Sequence, residues 1–220
     1  MLRRMVKSSL LREFAPLEKQ TASEPLRRAL DIAVSVTALT LLAPLLASVA
    51  VLVWAEDRGP VLFHQERVGQ GGERFAFYKF RSMVVNAESL KESLSAQNEA
   101  SGPIFKMKQD PRITRIGRVL RRYSLDELPQ LWNVLKGDMS LVGPRPHLPR
   151  EIASCPEYPL ERLSVRPGLI CLREVSGRSR LTFEEWIALD LEYVRHRSLL
   201  LDLSILLRAL PAILRGDGAY

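Results

Sequence analysis

The chain has 220 residues, 32 Lys and Arg against 25 Asp and Glu, and a formal net charge of +7. Its ordinary apolar and charged fractions exclude a disordered or fibrous chain and allow one domain with a core plus an extra element, while the cationic excess favours anionic partners: phosphates, acidic lipid or nucleic acid. Two cysteines, Cys155 and Cys171, without metal-like spacing to His64, His147 and His196, exclude a disulfide framework and a Cys/His metal site and fit a reducing compartment.

Residues 1–28 are a polar, basic segment. From Ala29 to Trp54 the chain reads ALDIAVSVTALTLLAPLLASVAVLVW, with Asp31 its only charge. As a helix this run is about 39 Å long, more than a hydrocarbon core of about 30 Å. It is too long and too far from the N-terminus for a secretory signal. The flank before it is basic, and so is the flank after it, with Arg58, Arg67, Arg74, Lys79 and Arg81. Lys and Arg hold flanking segments on the cytoplasmic side. Pro44, near the middle, cannot donate the helical hydrogen bond, so a broken helix that enters and leaves by one face keeps both flanks together. An ordinary span with a tolerated proline is the alternative, and local physics leaves both open.

Residues 55–220 read as one globular domain without repeats or low-complexity linkers. Strand formers at 61–68 and 73–80 flank Gln70-Gly71-Gly72 and predict a β-hairpin. A polar helix is expected over 84–100 and a basic helix over 113–123. A rigid loop, Val142-Gly143-Pro144-Arg145-Pro146, follows, then a helix over 182–196. The last helix, about 198–214, is short for a span and amphipathic enough to lie at an interface. The fold class is α+β, mainly helical: a membrane helix, then a small globular domain with a β-hairpin and interfacial amphipathic helices.

Chemistry concentrates at Tyr123-Ser-Leu-Asp-Glu-Leu-Pro129. Asp126 and Glu127 are adjacent, and neighbours on a regular helix do not share a face, so two separate roles suit them better than one shared proton. Ser124 and Glu127 also match an S-x-x-E capping box, and spacing alone favours that reading. With either Ser124 or Asp126 as N-cap, Asp126 lies at a helix N-terminus, where the dipole favours anions. Arg112, Arg115, Arg118, Arg121 and Arg122 precede the pair, and Arg145 follows between prolines. Arginine forks match phosphate oxygens, and a carboxylate attacking a diphosphate needs such cations. Arg115, Arg118 and Arg122 read equally as a basic face toward anionic lipid. No Walker loop or GxGxxG is present. Aromatics are 7% of the chain and are not arrayed with the basic residues, which argues against nucleic acid.

With these motifs in view, the chain resembles the bacterial monotopic phosphoglycosyl transferases over roughly residues 26–220. The resemblance rests on GPVLFHQERVG at 59–69, FYKFRSM at 77–83, DPRITRIGRVLRRYSLDELPQLWNVLKGDMSLVGPRP at 110–146 and DLEYVRHRSLLLDLSILL at 190–207. It implies that residues 29–54 are a re-entrant membrane helix broken at Pro44, at the cytoplasmic face of the bacterial inner membrane. It implies Asp126 as nucleophile and Glu127 as its dyad partner, with Lys79, Arg81, Arg112, Arg121 and Arg145 binding substrate. The implied reaction moves a sugar 1-phosphate from a UDP-sugar to polyprenyl (undecaprenyl) phosphate through an aspartyl-phosphosugar intermediate and releases UMP. That would be the first membrane step of exopolysaccharide, capsule or O-antigen synthesis. Mg²⁺ near Asp126 is the implied cofactor, and a homodimer is compatible with the family. The chain resembles the family's minimal catalytic form. It departs from the family at Ala43-Pro44, where a Ser-Pro pair is usual, and at PGLICLREVSGR over 167–178, where PGITGLWQVSGR is usual. The second departure makes Ile170, Cys171, Arg173 and Glu174 unreliable sources of substrate residues.

Overall fold

A computed structural model describes residues 23–99, 102–176 and 181–215. Helix α1 (Glu24–Leu41) and helix α2 (Ala43–Asp57) together carry the apolar run. They bend by 63° at Leu42. Pro44 stands in the first turn of α2, where its missing N–H is harmless, so the helix restarts there instead of continuing. Hydroxyls back-bond on either side of the break, Thr40 to the Val36 carbonyl and Ser48 to the Pro44 carbonyl, each at 2.9 Å. No single described helix is long and apolar enough to cross a membrane; α1 and α2 qualify only as a bent pair. Their outward faces expose Ile32, Val34, Val36, Leu41, Val51, Leu52 and Trp54.

The opposite face of α1 is polar and buried at four-residue spacing: Arg27, Asp31 and Ser35. Asp31 accepts from the Ser140 hydroxyl and the Leu141 N–H. The Arg28 fork donates to the carbonyls of Val134 and Leu135, each at 2.6 Å, in the last turn of a helix, where carbonyls lack full intrahelical bonding. Arg27 pairs with Asp202, which also accepts from the Tyr193 hydroxyl. At the far end of α2, Glu56 accepts from the N–H groups of Arg115 and Ile116. Asp57 takes both arms of Arg81 at 2.5 Å. Both ends of the bent pair are therefore tied to the same globular body.

That body begins with the expected hairpin. Strands β1 (Leu62–Val68) and β2 (Arg74–Phe80) pair antiparallel, joined by a tight turn at Gln70–Gly72. Over 84–100 the expected long helix is absent. Among the described residues 84–99, only α3 (Ala87–Leu90) and a 3₁₀ turn (Ser95–Gln97) form, since so polar a stretch has no apolar stripe to pack and short isolated helices are marginal. Helix α4 (Arg115–Arg122) starts where the Thr114 hydroxyl accepts from the Gly117 N–H. A 3₁₀ turn (Leu125–Glu127), α5 (Gln130–Lys136), β3 (Ser140–Val142), α6 (Pro149–Ala153), a 3₁₀ turn (Leu160–Ser164), β4 (Gly168–Ile170), α7 (Leu172–Ser176), α8 (Phe183–His196) and α9 (Leu199–Arg215) follow. Helix α8 opens with a complete capping box between Thr182 and Glu185.

The main core joins Phe77, Leu131, Val134, Met139, Val142, Tyr193, Val194 and Ile205, with Ala38 and Leu39 of α1 packed against it. A second cluster of Val49, Val53, Phe80 and Leu120 seats α2 on β2 and α4. Helix α9 leaves Leu200, Leu203, Leu207 and Leu210 exposed, the apolar stripe expected of an interfacial helix. Strands β3 and β4 pair in parallel.

Gly117 sets how closely α4 lies on the segment after β2: a Cβ there would stand 2.0 Å from the Ser82 carbonyl oxygen, a backbone atom that cannot rotate away. Gly117→Ala is expected to destabilise the fold by about 2–3 kcal/mol, as overpacking against backbone does, read as a lowered denaturation midpoint. An unchanged midpoint would show that α4 can shift without penalty.

Candidate active site

The catalytic candidates sit where α4 hands over to α5. Ser124 takes a left-handed conformation, φ 55°, uncommon for a residue with a side chain and a source of about 1 kcal/mol of local strain. It turns the chain sharply out of α4 into the 3₁₀ turn that holds Asp126 and Glu127. The capping box expected from Ser124 and Glu127 does not form: Ser124 makes no side-chain cap, and the Glu127 carboxylate lies on Arg145. Asp126 is not at an α-helix N-terminus either; α5 starts at Gln130, after Pro129. The two carboxylates lie on one cavity and differ in their partners: Glu127 is engaged by Arg145.

A cavity of about 440 Å³ opens beside them. Of the residues expected from sequence, Lys79, Arg112, Arg121, Asp126, Glu127 and Arg145 all line it. Asp126 is buried, and no described side chain or N–H donates to its carboxylate. Glu127 receives both arms of Arg145, at 2.5 and 3.3 Å. Arg121 donates to the Ser82 hydroxyl at 3.1 Å. Arg112 is held by Asp110 through three hydrogen bonds of 2.6 to 3.0 Å and lies over the Phe105 ring, so it frames the cavity with most of its donors engaged.

Arg81 is not brought to the cavity. Besides Asp57, its donors reach the carbonyls of Pro60 and Met83, locking the end of α2 to the end of β2. Pro44 lies at the α1–α2 break, away from the cavity lining.

The loop carrying Arg145 is held by its carbonyls. Pro144 and Pro146 lack N–H groups, so no ladder can form there. Gly168 N–H donates to Pro144, Arg162 to Arg145, Arg67 to Pro146 and Val68 N–H to His147. Arg162 is itself buried against Asp190 and the Tyr158 hydroxyl. Three separate elements, β1, the Leu160–Ser164 turn and β4, thus aim one guanidinium at Glu127.

Electrostatics divide the pair. Burial, and then the Glu127 charge, raise Asp126 to about 6, against the pull of Lys79, Arg121 and Arg145. Glu127 is half-buried, and its partial desolvation pushes the other way, but the Arg145 charge and fork outweigh that and hold it below the usual carboxylate range. Burial lowers Lys79 to about 8, opposed by Asp126. The cavity therefore carries one hydrogen-bond-free carboxylate among several cations, the set needed to receive phosphate oxygens beside a nucleophile.

A bacterial sugar transferase family model matches residues 22–216. The chain belongs to the bacterial sugar transferase family. Among relatives of this family, the chain is 47% identical to the galactosyl transferase CpsE of Streptococcus agalactiae, over 74% of this chain and 37% of that protein. It is 40% identical to the undecaprenyl-phosphate galactose phosphotransferase of Salmonella typhimurium, over 90% of this chain and 42% of the relative. It is also 40% identical to the UDP-glucose:undecaprenyl-phosphate glucose-1-phosphate transferase of Caulobacter vibrioides, over 96% and 77%. The chain spans less than half the length of the first two of these sugar transferases.

Several cavity residues escaped the sequence reading. Arg67, Lys106, Asp110, Arg173 and Glu174 all line it. Arg67 read only as part of a basic flank, and Asp110 only as the start of a long motif. Arg173 and Glu174 lay in the segment set aside as atypical, yet β4 and α7 deliver that segment to the cavity wall. No signal in the chain announced this, because β3 and β4 are three residues each, too short to show strand periodicity.

Proposed function

We propose that this chain transfers a sugar 1-phosphate from a UDP-sugar to a polyprenyl phosphate, undecaprenyl phosphate in bacteria, with Asp126 as nucleophile. The observation that carries this is the buried Asp126 carboxylate, unengaged by any described donor, in a cavity with Lys79, Arg121 and Arg145. A carboxylate oxygen of Asp126 attacks the sugar-bearing phosphorus of the donor. The bond from that phosphorus to the bridging oxygen breaks, and UMP leaves with the electron pair. A phosphate oxygen of the polyprenyl acceptor then attacks the same phosphorus and displaces the Asp126 carboxylate, giving a polyprenyl diphosphate sugar. Arg145 orients Glu127 beside the incoming phosphate, where Glu127 accepts its proton. Lys79 and Arg121 offset the charge that gathers on the phosphoryl oxygens.

No group of three or more metal-binding side chains occurs among the described residues. Among the described carboxylates of the cavity, Asp126 is the free one, since Asp110, Glu127 and Glu174 are engaged by Arg112, Arg145 and the Cys171 N–H. One carboxylate with substrate phosphate oxygens and water suits Mg²⁺. Held by Asp126, Mg²⁺ would neutralise diphosphate charge.

The site belongs at a membrane surface, on the cytoplasmic face of the bacterial inner membrane. Tethers from Arg27 to Asp202 and from Asp57 to Arg81 fix both ends of the α1–α2 pair to one body. That supports a re-entrant hairpin over a span, whose ends would lie on opposite sides. Such a hairpin holds the cavity where a water-soluble nucleotide sugar meets a lipid acceptor. A role in exopolysaccharide production is supported by two relatives called exopolysaccharide production protein ExoY.

The decisive experiment is the purified chain in detergent with polyprenyl phosphate and a panel of UDP-sugars. UMP release with one sugar and a UDP-sugar-dependent mass adduct on Asp126 are expected; no UMP with any of them would sink the proposal. The pH profile of kcat/KM should be bell-shaped. Activity falls below about 6 as Asp126 protonates and again above about 8 as Lys79 loses its charge. A flat profile from pH 5 to 9 would contradict these two assignments.

A further inference from the structure

Five arginines line the cavity, and four have defined partners. Arg67 donates to the Pro146 carbonyl, Arg112 to Asp110, Arg121 to Ser82 and Arg145 to Glu127. Arg173 makes no side-chain hydrogen bond or ion pair with any described residue, and its Nε is shut off from solvent without an acceptor. Yet the side chain is not loose. Its guanidinium lies over the buried Trp186 ring, 4.2 Å from the centroid, and Trp186 is packed edge-on against His147. Contact with the ring restrains the guanidinium, and its N–H donors are left without a described acceptor on a side chain that lines the cavity, which suits a planar or tetrahedral anion.

The neighbouring carboxylate does not fill this role. Glu174 accepts from the Cys171 N–H at 2.6 Å and faces Arg145 at 3.8 Å, because consecutive helical residues point apart. The Arg173 charge reaches both Glu127, which it helps to hold ionised, and Lys106, which burial and Arg173 lower to about 8. A preorganised, unneutralised cation therefore lies on the Glu127 side of the cavity.

We propose that Arg173, stacked on Trp186, is a second phosphate-binding point of this cavity, separate from the Lys79 and Arg121 group around Asp126. It rests on the sugar-phosphate transfer reading above, which supplies two phosphate-bearing ligands: the donor diphosphate and the polyprenyl phosphate acceptor. Both present the same chemistry to a guanidinium edge.

The test uses the full chain in detergent with two substitutions. Arg173→Met keeps length and apolar packing on Trp186 without charge, and Arg173→Lys keeps charge without the planar fork. UMP release from the donor alone measures the first half-reaction, and transfer from the preloaded protein to polyprenyl phosphate measures the second. Arg173→Met should raise KM for one of the two substrates by about tenfold or more, the size of one charged hydrogen-bond contact, with a smaller rise for Arg173→Lys. An increase in donor KM assigns the point to the diphosphate, and an increase in acceptor KM assigns it to the lipid phosphate. Unchanged KM for both, with a lowered melting temperature, would overturn the proposal and leave Arg173 as packing for Trp186. Inorganic phosphate and UMP, titrated against thermal stability, separate this outcome from failure of the transferase reading. If the wild-type chain releases no UMP, weaker stabilisation of Arg173→Met by phosphate still supports the site, and equal stabilisation still rejects it.

Discussion

Asp126→Asn should abolish sugar-phosphate transfer and the phosphosugar adduct while leaving the protein as stable as the wild type or more so. The loss follows from the chemistry, since an amide cannot form and release the acyl phosphate. The stability follows from burial. The folded carboxyl is raised from 3.8 to about 6, so the folded state favours the neutral form. Its stabilising contribution is complete below 3.8 and is lost as pH rises through about 6. At pH 7 to 8 the wild type carries a buried charge that Asn removes, a gain of about 1–3 kcal/mol for a shift of this size. The difference should fade toward pH 4. Denaturation curves at both pH values, beside UMP release, check both halves. Retained transfer would dismiss Asp126 as the nucleophile, whereas lost transfer with a collapsed melting temperature would point to a structural role.

Arg145→Met should damage both stability and activity. It removes the fork that holds Glu127 and leaves that carboxylate beside Glu174. Breaking a largely buried pair strands the remaining charge, a loss of about 2–3 kcal/mol at neutral pH. The depressed folded pKa of Glu127 means that its stabilising contribution is present above about 4.5 and is lost as pH falls through the lower folded value. The gap between wild type and variant should therefore be wide at pH 7 and narrow below 4.5, where Glu127 is neutral in the variant. Activity should drop about a hundredfold or more, the usual size of a positioned acid–base group, because Glu127 loses the fork that orients it. A stability loss with unchanged UMP release and transfer would reduce Arg145 to a structural partner.

Helices α4 and α8 formed where a basic and an acidic stretch were expected to be helical, on threonine caps that only the structure showed. The hairpin and α9 were legible in the chain because each carries its own local signal, strand formers around a glycine turn and an apolar stripe. The predicted helix over 84–100 lacked such a stripe, and there the reading failed. Asp126 and Glu127 were visible as a pair, but local spacing favoured a cap. The structure decided otherwise when the left-handed Ser124 turned the chain and Arg145, eighteen residues on, took the Glu127 carboxylate. Arg81 and Lys79, two residues apart on β2 and its exit, looked equivalent. Only the tertiary fold sends one to Asp57 and the other to the cavity.

The sequence by itself determined the apolar run with its proline break, the cationic character and the adjacent carboxylates, because those properties belong to residues and their immediate neighbours. Tertiary structure alone decided which cations face Asp126, which are neutralised elsewhere, and that the segment after β4 walls the cavity. Those outcomes depend on contacts between residues far apart in the chain: Arg27 with Asp202, Arg162 with the Arg145 carbonyl, and β3 with β4. Such contacts are selected by burial and by the need to satisfy buried polar groups, and neither is written in any short stretch of sequence.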